Sequence, residues 1–150
     1  MASEKATTMR TAAEALVMSF NGDWSEKTLE AAMAARAPEC MHAMLPKSLN
    51  LPPKSNDDWT AHFKHMVGKI GDATMTIHDV VVAPEEKRVV IYSIMDAISV
   101  VGPFHNEYTW FFTFDDHGTK IVRIDEMLDS AATKDMMARL AKAREQEGKA

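Results

Sequence analysis

Between residues 74 and 129 the chain offers four extended runs in close succession, and that succession leaves few folds open to it. Residues 74–83 are rich in β-branched side chains, and Pro84-Glu85-Glu86-Lys87 reads as a turn. Residues 88–100 make a long second strand, closed by Gly102-Pro103. Residues 106–115 form an aromatic third strand, and Asp116-His117-Gly118 supplies a tight hairpin before a fourth strand over residues 120–129. Short connections of this kind join antiparallel neighbours, so the second half of the chain predicts a meander.

The first half reads as helices with one extended interruption. Ala13, Leu16, Val17 and Phe20 recur at helical spacing, and Asn21-Gly22 stops that helix. Asp23 with Glu26 resembles a capping box that opens a short helix to about Ala35. Pro38 ends it, residues 40–45 suit a short strand, and a proline-rich loop follows from Pro46 to Pro53. Ser55 or Asn56 then caps a helix whose apolar stripe is Trp59, Phe63, Met66, Val67 and Ile70, with Gly71 as its end. Asp129 or Ser130 caps a last helix to about Ala143. A chain of 150 residues with 46% hydrophobic side chains suits a single core. The expectation is an α+β domain over residues 8–144: a curved antiparallel sheet with three or four helices, forming a cone around an apolar pocket. Residues 1–7 and 145–150 are expected to be flexible termini.

One residue breaks the apolar pattern. In the fourth strand Val122, Ile124, Glu126 and Leu128 share a face, and in the third Tyr108, Trp110, Phe112 and Phe114 do. If both faces line one interior, Glu126 points into it. A buried carboxyl is costly unless it is paired or exchanges a proton, so Glu126 is either an internal ion-pair member or an acid–base group. Arg36, just before Pro38, is placed to hold an oxyanion or to fork onto Glu126; its plainer role is that of a helix-end arginine. Trp59, Tyr108 and Trp110 read as core side chains that also form pocket wall, and the 12 methionines suggest a plastic lining. Asn106 shares the inner parity of Tyr108 and could orient a substrate carbonyl. Asp129 could do likewise, although capping is its simpler task.

Other functions are disfavoured by what the chain lacks. A net charge of −5 and no basic stripe argue against nucleic acid. No glycine-rich phosphate loop, nucleophile elbow or dinucleotide fingerprint occurs, so no nucleotide cofactor is expected. His62 and His65 are three apart rather than four and no Cys/His cluster completes a site, so no metal is expected. His62 flanks the apolar stripe and could touch substrate; His65 should be solvated. His42 and His78 fall in strands of unassigned facing and read as structural histidines; His105 and His117, in or beside turns, are expected to be solvent-exposed. The lone Cys40 reads as an inert buried thiol, in keeping with a reducing, cytoplasmic setting. There is no apolar leader and no membrane-length run. The outer sheet face with Thr109, Phe111 and Thr113 is apolar enough to predict a homodimer.

Four local patterns occur in order: Arg36-Ala37-Pro38-Glu39-Cys40-Met41-His42; Leu45-Pro46-Lys47-Ser48-Leu49; Gly102-Pro103-Phe104-His105-Asn106-Glu107-Tyr108; and Asp125-Glu126-Met127-Leu128-Asp129-Ser130. Together they resemble the fungal SnoaL-like group of the nuclear-transport-factor-2-like, cystatin-like-cone superfamily, over about residues 8 to 142. That resemblance implies a cofactor-independent isomerase, cyclase or rearrangement catalyst, acting by acid–base chemistry on a polycyclic intermediate of secondary metabolism. It implies catalytic roles for Glu126 and Arg36 and a pocket wall that includes Phe104 and Tyr108; Phe104 stands where some relatives carry tyrosine. His62, Met66, Trp59, Trp110, Asn106 and Asp129 complete the expected substrate contacts. The same cone also serves as a non-catalytic binding or dimerisation module. A Glu126–Arg36 pair sealed off from ligand would favour that alternative.

Overall fold

The computed structural model describes residues 2–149. Helix α1 (Glu4–Met18) is opened by Ser3, whose hydroxyl accepts the Ala6 N–H at 3.1 Å. Its Met9, Ala13, Leu16 and Val17 recur every three or four residues and are fully buried. The helix thus reaches back into the segment expected to be a loose terminus. Helix α2 (Glu26–Met33) is capped by Ser25 and Thr28, with the Thr28 hydroxyl accepting the Ser25 N–H at 3.1 Å. The Asp23–Glu26 box expected from sequence does not form. Asp23 instead accepts the Asp72 N–H at 3.0 Å and ties the loop to the sheet.

Strand β1 (Arg36–Leu45) comes next, longer than the short strand expected, and then helix α3 (Asn56–Lys64) behind its cap Ser55. The apolar stripe of α3 overruns the helix itself. Gly68, at φ +79°, turns the chain three residues before Gly71, so Met66 and Val67 sit in the connection and Ile70 begins strand β2 (Ile70–Ala83). Strands β3 (Arg88–Ser99), β4 (Gly102–Phe114) and β5 (Ile121–Leu128) complete the expected antiparallel meander. Helix α4 (Ser130–Gly148) closes the chain and runs five residues past its expected end.

The sheet order is β1-β5-β4-β3-β2. β1 is the addition to the meander: it pairs parallel with β5, so one edge of an otherwise antiparallel sheet is mixed. Alternate residues of the long strands face the helices. Val89, Ile91, Ser93 and Met95 on β3 and Tyr108, Trp110, Phe112 and Phe114 on β4 are all buried on that inner face. Ile121 alternates with Val122 and so belongs to the outer parity of the fourth strand, yet it is fully buried. The register between β4 and β5 shifts between Thr113 and Phe114, so Ile121 opposes Phe114 and Val122 is the extra residue. From Ile124 onward the expected alternation holds and Glu126 points inward. The architecture is the α+β cone: one curved sheet with four helices. Among the described residues no helix is long and apolar enough to cross a membrane.

Candidate active site

Two strands that are remote in sequence deliver the site. In the β1–β5 ladder Met44 opposes Glu126 and His42 opposes Ile124, while on the other side of β5 Trp110 opposes Glu126. His42 is 1% exposed and Glu126 7%. The imidazole Nε2 of His42 lies 2.7 Å from Glu126 Oε1, and its Nδ1 lies 3.2 Å from Arg36 Nη1. A guanidinium has donors only, so His42 Nδ1 must accept from Arg36. The ring proton is therefore on Nε2, which donates to Glu126 Oε1. Arg36 thus selects one neutral tautomer of His42, and that tautomer holds one oxygen of the carboxyl.

Arg36 is itself held by donation from its Nε to the Ala32 carbonyl at 2.9 Å, just inside the end of α2, and by Trp59, whose ring centre lies 4.4 Å below the guanidinium. The same indole stacks on His42 at 5.7 Å and 11°. Burial lowers Arg36 to a pKa of about 10, which leaves it cationic at neutral pH. Desolvation lowers His42, opposed by its bond to Glu126 and assisted by the Arg36 charge, in agreement with the neutral tautomer. The buried Tyr108 phenol is raised well above its ordinary range, chiefly by desolvation and then by Glu126, and so stays protonated. Burial likewise raises the Cys40 thiol, against the lowering effect of Arg36.

Glu126 borders an apolar cavity with two connected parts. The inner part, about 70 Å³, lies against Phe20, Trp24, Trp59, Met75 and Trp110. The outer part, about 330 Å³, opens under α4 past Phe104, Asn106, Leu128, Met136 and Leu140. Trp24, Met44, His62, Tyr108 and Glu126 belong to both. Glu126 Oε2, unlike Oε1, has no hydrogen-bond partner among the described residues. One carboxyl oxygen is thus held by His42, and the other is left unbonded on a side chain that lines both parts of the cavity.

Most of the expected site residues converge here. Trp59 and Trp110 line the inner part, Phe104, Asn106 and Met66 the outer, and Tyr108 and His62 both. Asn106 is already engaged, donating to Thr133 Oγ1 at 3.1 Å. Arg36 and Asp129 are placed differently. Arg36 makes no direct pair with Glu126 and does not line the cavity, because His42 stands between them. Asp129 is exposed and caps α4, accepting the Ala131 and Ala132 N–H groups at 3.0 and 3.2 Å. Asp129→Ala should lower stability by roughly 1 kcal/mol with ligand affinity unchanged, as read by denaturant unfolding beside a binding titration. Sequence reading passed over His42 as a participant, since the register slip between Arg36 and Met41 leaves no regular alternation to mark its facing. Lys54, Trp24 and Thr133 were also missed, all lining residues. Among the described residues no group of three or more His, Cys, Asp or Glu is arranged to hold a metal.

No family model matches the chain. It is 31% identical over 121 residues to the monooxygenase AacuP of Aspergillus aculeatus, covering 81% of this chain and 83% of that protein. Its backbone matches the crystal structure of the BvnE pinacolase from Penicillium brevicompactum with a TM-score of 0.83 at 21% identity, over 95% of this chain and 97% of that one. A putative SnoaL-like polyketide cyclase from Jannaschia sp. CCS1 matches with a TM-score of 0.70 at 11% identity, over 89% and 94% of the two chains. The order of elements, the cone, and a relative of this identity and coverage agree: the chain belongs to the family of AacuP, in the fungal SnoaL-like group of the nuclear-transport-factor-2-like superfamily.

Proposed function

We propose that this protein is an acid–base isomerase or cyclase that acts on a flat, largely apolar polycyclic intermediate of secondary metabolism. The observation that carries this reading is the Glu126 carboxyl: Oε1 is fixed by His42, and Oε2 is free on the wall of an apolar cavity. Such a group can take a proton from an acidic carbon or hydroxyl and return it elsewhere on the same molecule. The aromatic and methionine walls would hold the rings so that the reacting atoms stay within reach of Oε2. The pinacolase and polyketide-cyclase names of the fold neighbours support this class of reaction. The cavity is open to Glu126, so the sealed ion pair that would favour a purely non-catalytic module does not occur.

The name monooxygenase carried by AacuP favours a second outcome from the same first step. An enolate or phenolate made by proton removal is electron-rich, and dioxygen can add to its carbon as an internal electrophile can. The hydroperoxide then loses water to leave a carbonyl, so one oxygen atom stays in the product, the other leaves as water, and the oxidised carbon supplies the electrons. Both outcomes require Glu126 to move a proton. The test is to incubate the protein with polycyclic phenols and ketones in D2O, under air and under 18O2. Deuterium gained at carbon with unchanged oxygen count supports the isomerase or cyclase. Gain of an 18O atom selects the oxygenase. Neither change, across substrates that bind, would remove the catalytic reading.

A homodimer and a cytoplasmic setting belong to the same proposal. On the outer sheet face Phe111 pairs with Val90 and Asp125, and Met127 beside it is 38% exposed. Phe111→Glu should dissociate the dimer, because the contact would have to bury an unpaired charge. Sedimentation reads this directly: a monomer mass for the unmutated protein at micromolar concentration contradicts the dimer.

A further inference from the structure

The cavity has a cation at its rim that the proposed proton transfer does not use. Lys54 lies in the loop between β1 and α3, and it is pinned there by its backbone. Its N–H donates to the His42 carbonyl and its own carbonyl accepts the His42 N–H, both at 2.9 Å. The loop is thereby stitched to β1, the strand that carries Arg36 and His42. The Lys54 side chain, half-buried, lines the outer part of the cavity. Among the described residues it takes part in none of the ion pairs, whereas Lys87 and Arg123 are both paired. An ammonium brings three donors and a full charge, and an apolar wall supplies nothing to receive them.

We propose that Lys54 is the anchor for an ionised oxygen, carboxylate or phenolate, at one end of an otherwise apolar substrate. This rests on the reaction assigned above for its direction only: the anionic end sits at the rim and the reacting carbon is carried inward to Glu126. The rest of the lining fits one charge and no more. Met66, Phe104, Leu128, Met136 and Leu140 offer apolar contact along the body of the ligand. His62 stands on the same wall; desolvation first, and then the Lys54 charge, keep its imidazole neutral, so it can bond to the same oxygen without adding a second cation. With the acceptor oxygen of Glu126 inside and an ammonium outside, an amphipathic anion enters in one orientation. A neutral ring system has no such preference, so Lys54 would sort substrates by charge as well as aim them.

The test uses two probes with the same ring and different charge, 9-anthracenecarboxylate and 9-anthracenemethanol. All three tryptophans of the chain, Trp24, Trp59 and Trp110, line the inner cavity, so energy transfer from their emission reports binding. The unmutated protein should bind the carboxylate at least about tenfold more tightly than the alcohol, a preference worth about 1.4 kcal/mol. Lys54→Met, with an unchanged thermal transition, should bring the two affinities together, and Lys54→Arg should restore the difference. A 2-naphthol arm separates the two sources: a phenolate absorption band on binding at neutral pH assigns an ionised phenol, and its absence beside tight carboxylate binding assigns a carboxylate. Equal affinities in the unmutated protein, or a preference that survives in Lys54→Met, would overturn the anchor. These results are independent of turnover. An inactive Glu126→Gln protein with no charge preference would leave the reaction standing without the anchor, and a fully active one with the preference intact the reverse.

Discussion

Glu126→Gln should slow turnover by about 10²–10⁴ while the protein melts where it did before, the usual effect of losing one acid–base group. The substitution is close to isosteric, and the tautomer of His42 explains why the fold should tolerate it. His42 Nε2–H can donate to the amide oxygen as it did to Oε1, which turns the amide nitrogen toward the cavity in place of Oε2. The internal hydrogen bond is kept and the proton acceptor is lost. Binding of a ligand should therefore change little while the chemical step fails. Steady-state rates beside a thermal scan separate these effects. Full activity at unchanged stability would end the catalytic role of Glu126 and put a binding module in front.

Arg36→Met should behave otherwise, costing stability as well as rate. It strips the Ala32 carbonyl and His42 Nδ1 of their donor and leaves a buried polar relay without its cation, for which about 3–5 kcal/mol is typical. In a domain of this size that lowers the melting temperature by roughly 6–20 °C. A purely structural arginine would do the same, so pH supplies the discriminating measurement. His42 is lowered in the folded protein by desolvation, with a further contribution from Arg36. The unfolded chain then binds its proton more readily, and stability should fall as pH drops below about 6.5, the ordinary histidine value. Arg36→Met removes the neighbouring cation, so this acid-side loss between about pH 6.5 and 5 should shrink. A double variant with Glu126→Gln should be hardly slower than Glu126→Gln alone, because both changes act on one carboxyl. An unchanged pH slope, or fully multiplicative rate losses, would separate Arg36 from the site.

What could be read from the chain before its structure depended on the distance over which each pattern acts. The meander was legible because its turns are local and the alternation is regular through β3 and β4. Glu126 stood out for the same reason, in a strand whose apolar neighbours fix the parity. His42 did not. Its strand pairs parallel with β5, 84 residues later, and the ladder slips between Arg36 and Met41. Ala37 is buried, Pro38 and Glu39 are exposed, and Cys40 is buried again, so no period of two runs through the segment. Arg36 was identified with the wrong partner, since only the pairing of β1 with β5 shows that an imidazole lies between it and the carboxyl. The end of α3 was misplaced because the apolar residues of a turn and of the next strand happened to continue the helical stripe. Lys54 carried no signal at all. Its place is set by two backbone hydrogen bonds to His42, and backbone pairing across a proline-rich loop leaves no mark in side-chain pattern.

The parallel edge also sets when the site can exist. During synthesis, residues 36–45 leave the ribosome before β2, β3 and β4, yet among the described residues the strand they pair with in the sheet is β5, which follows all three. Until then the meander can assemble only as far as β4, with β1 unpaired at the far side of a gap. Insertion of β5 fills the gap, seats β1, and brings His42 to Glu126 in the same event. A chain that has not yet made β5 would thus hold the aromatic wall of β4 without Glu126 and without a partner for β1, so the wall and the His42–Glu126 contact arise at separate steps.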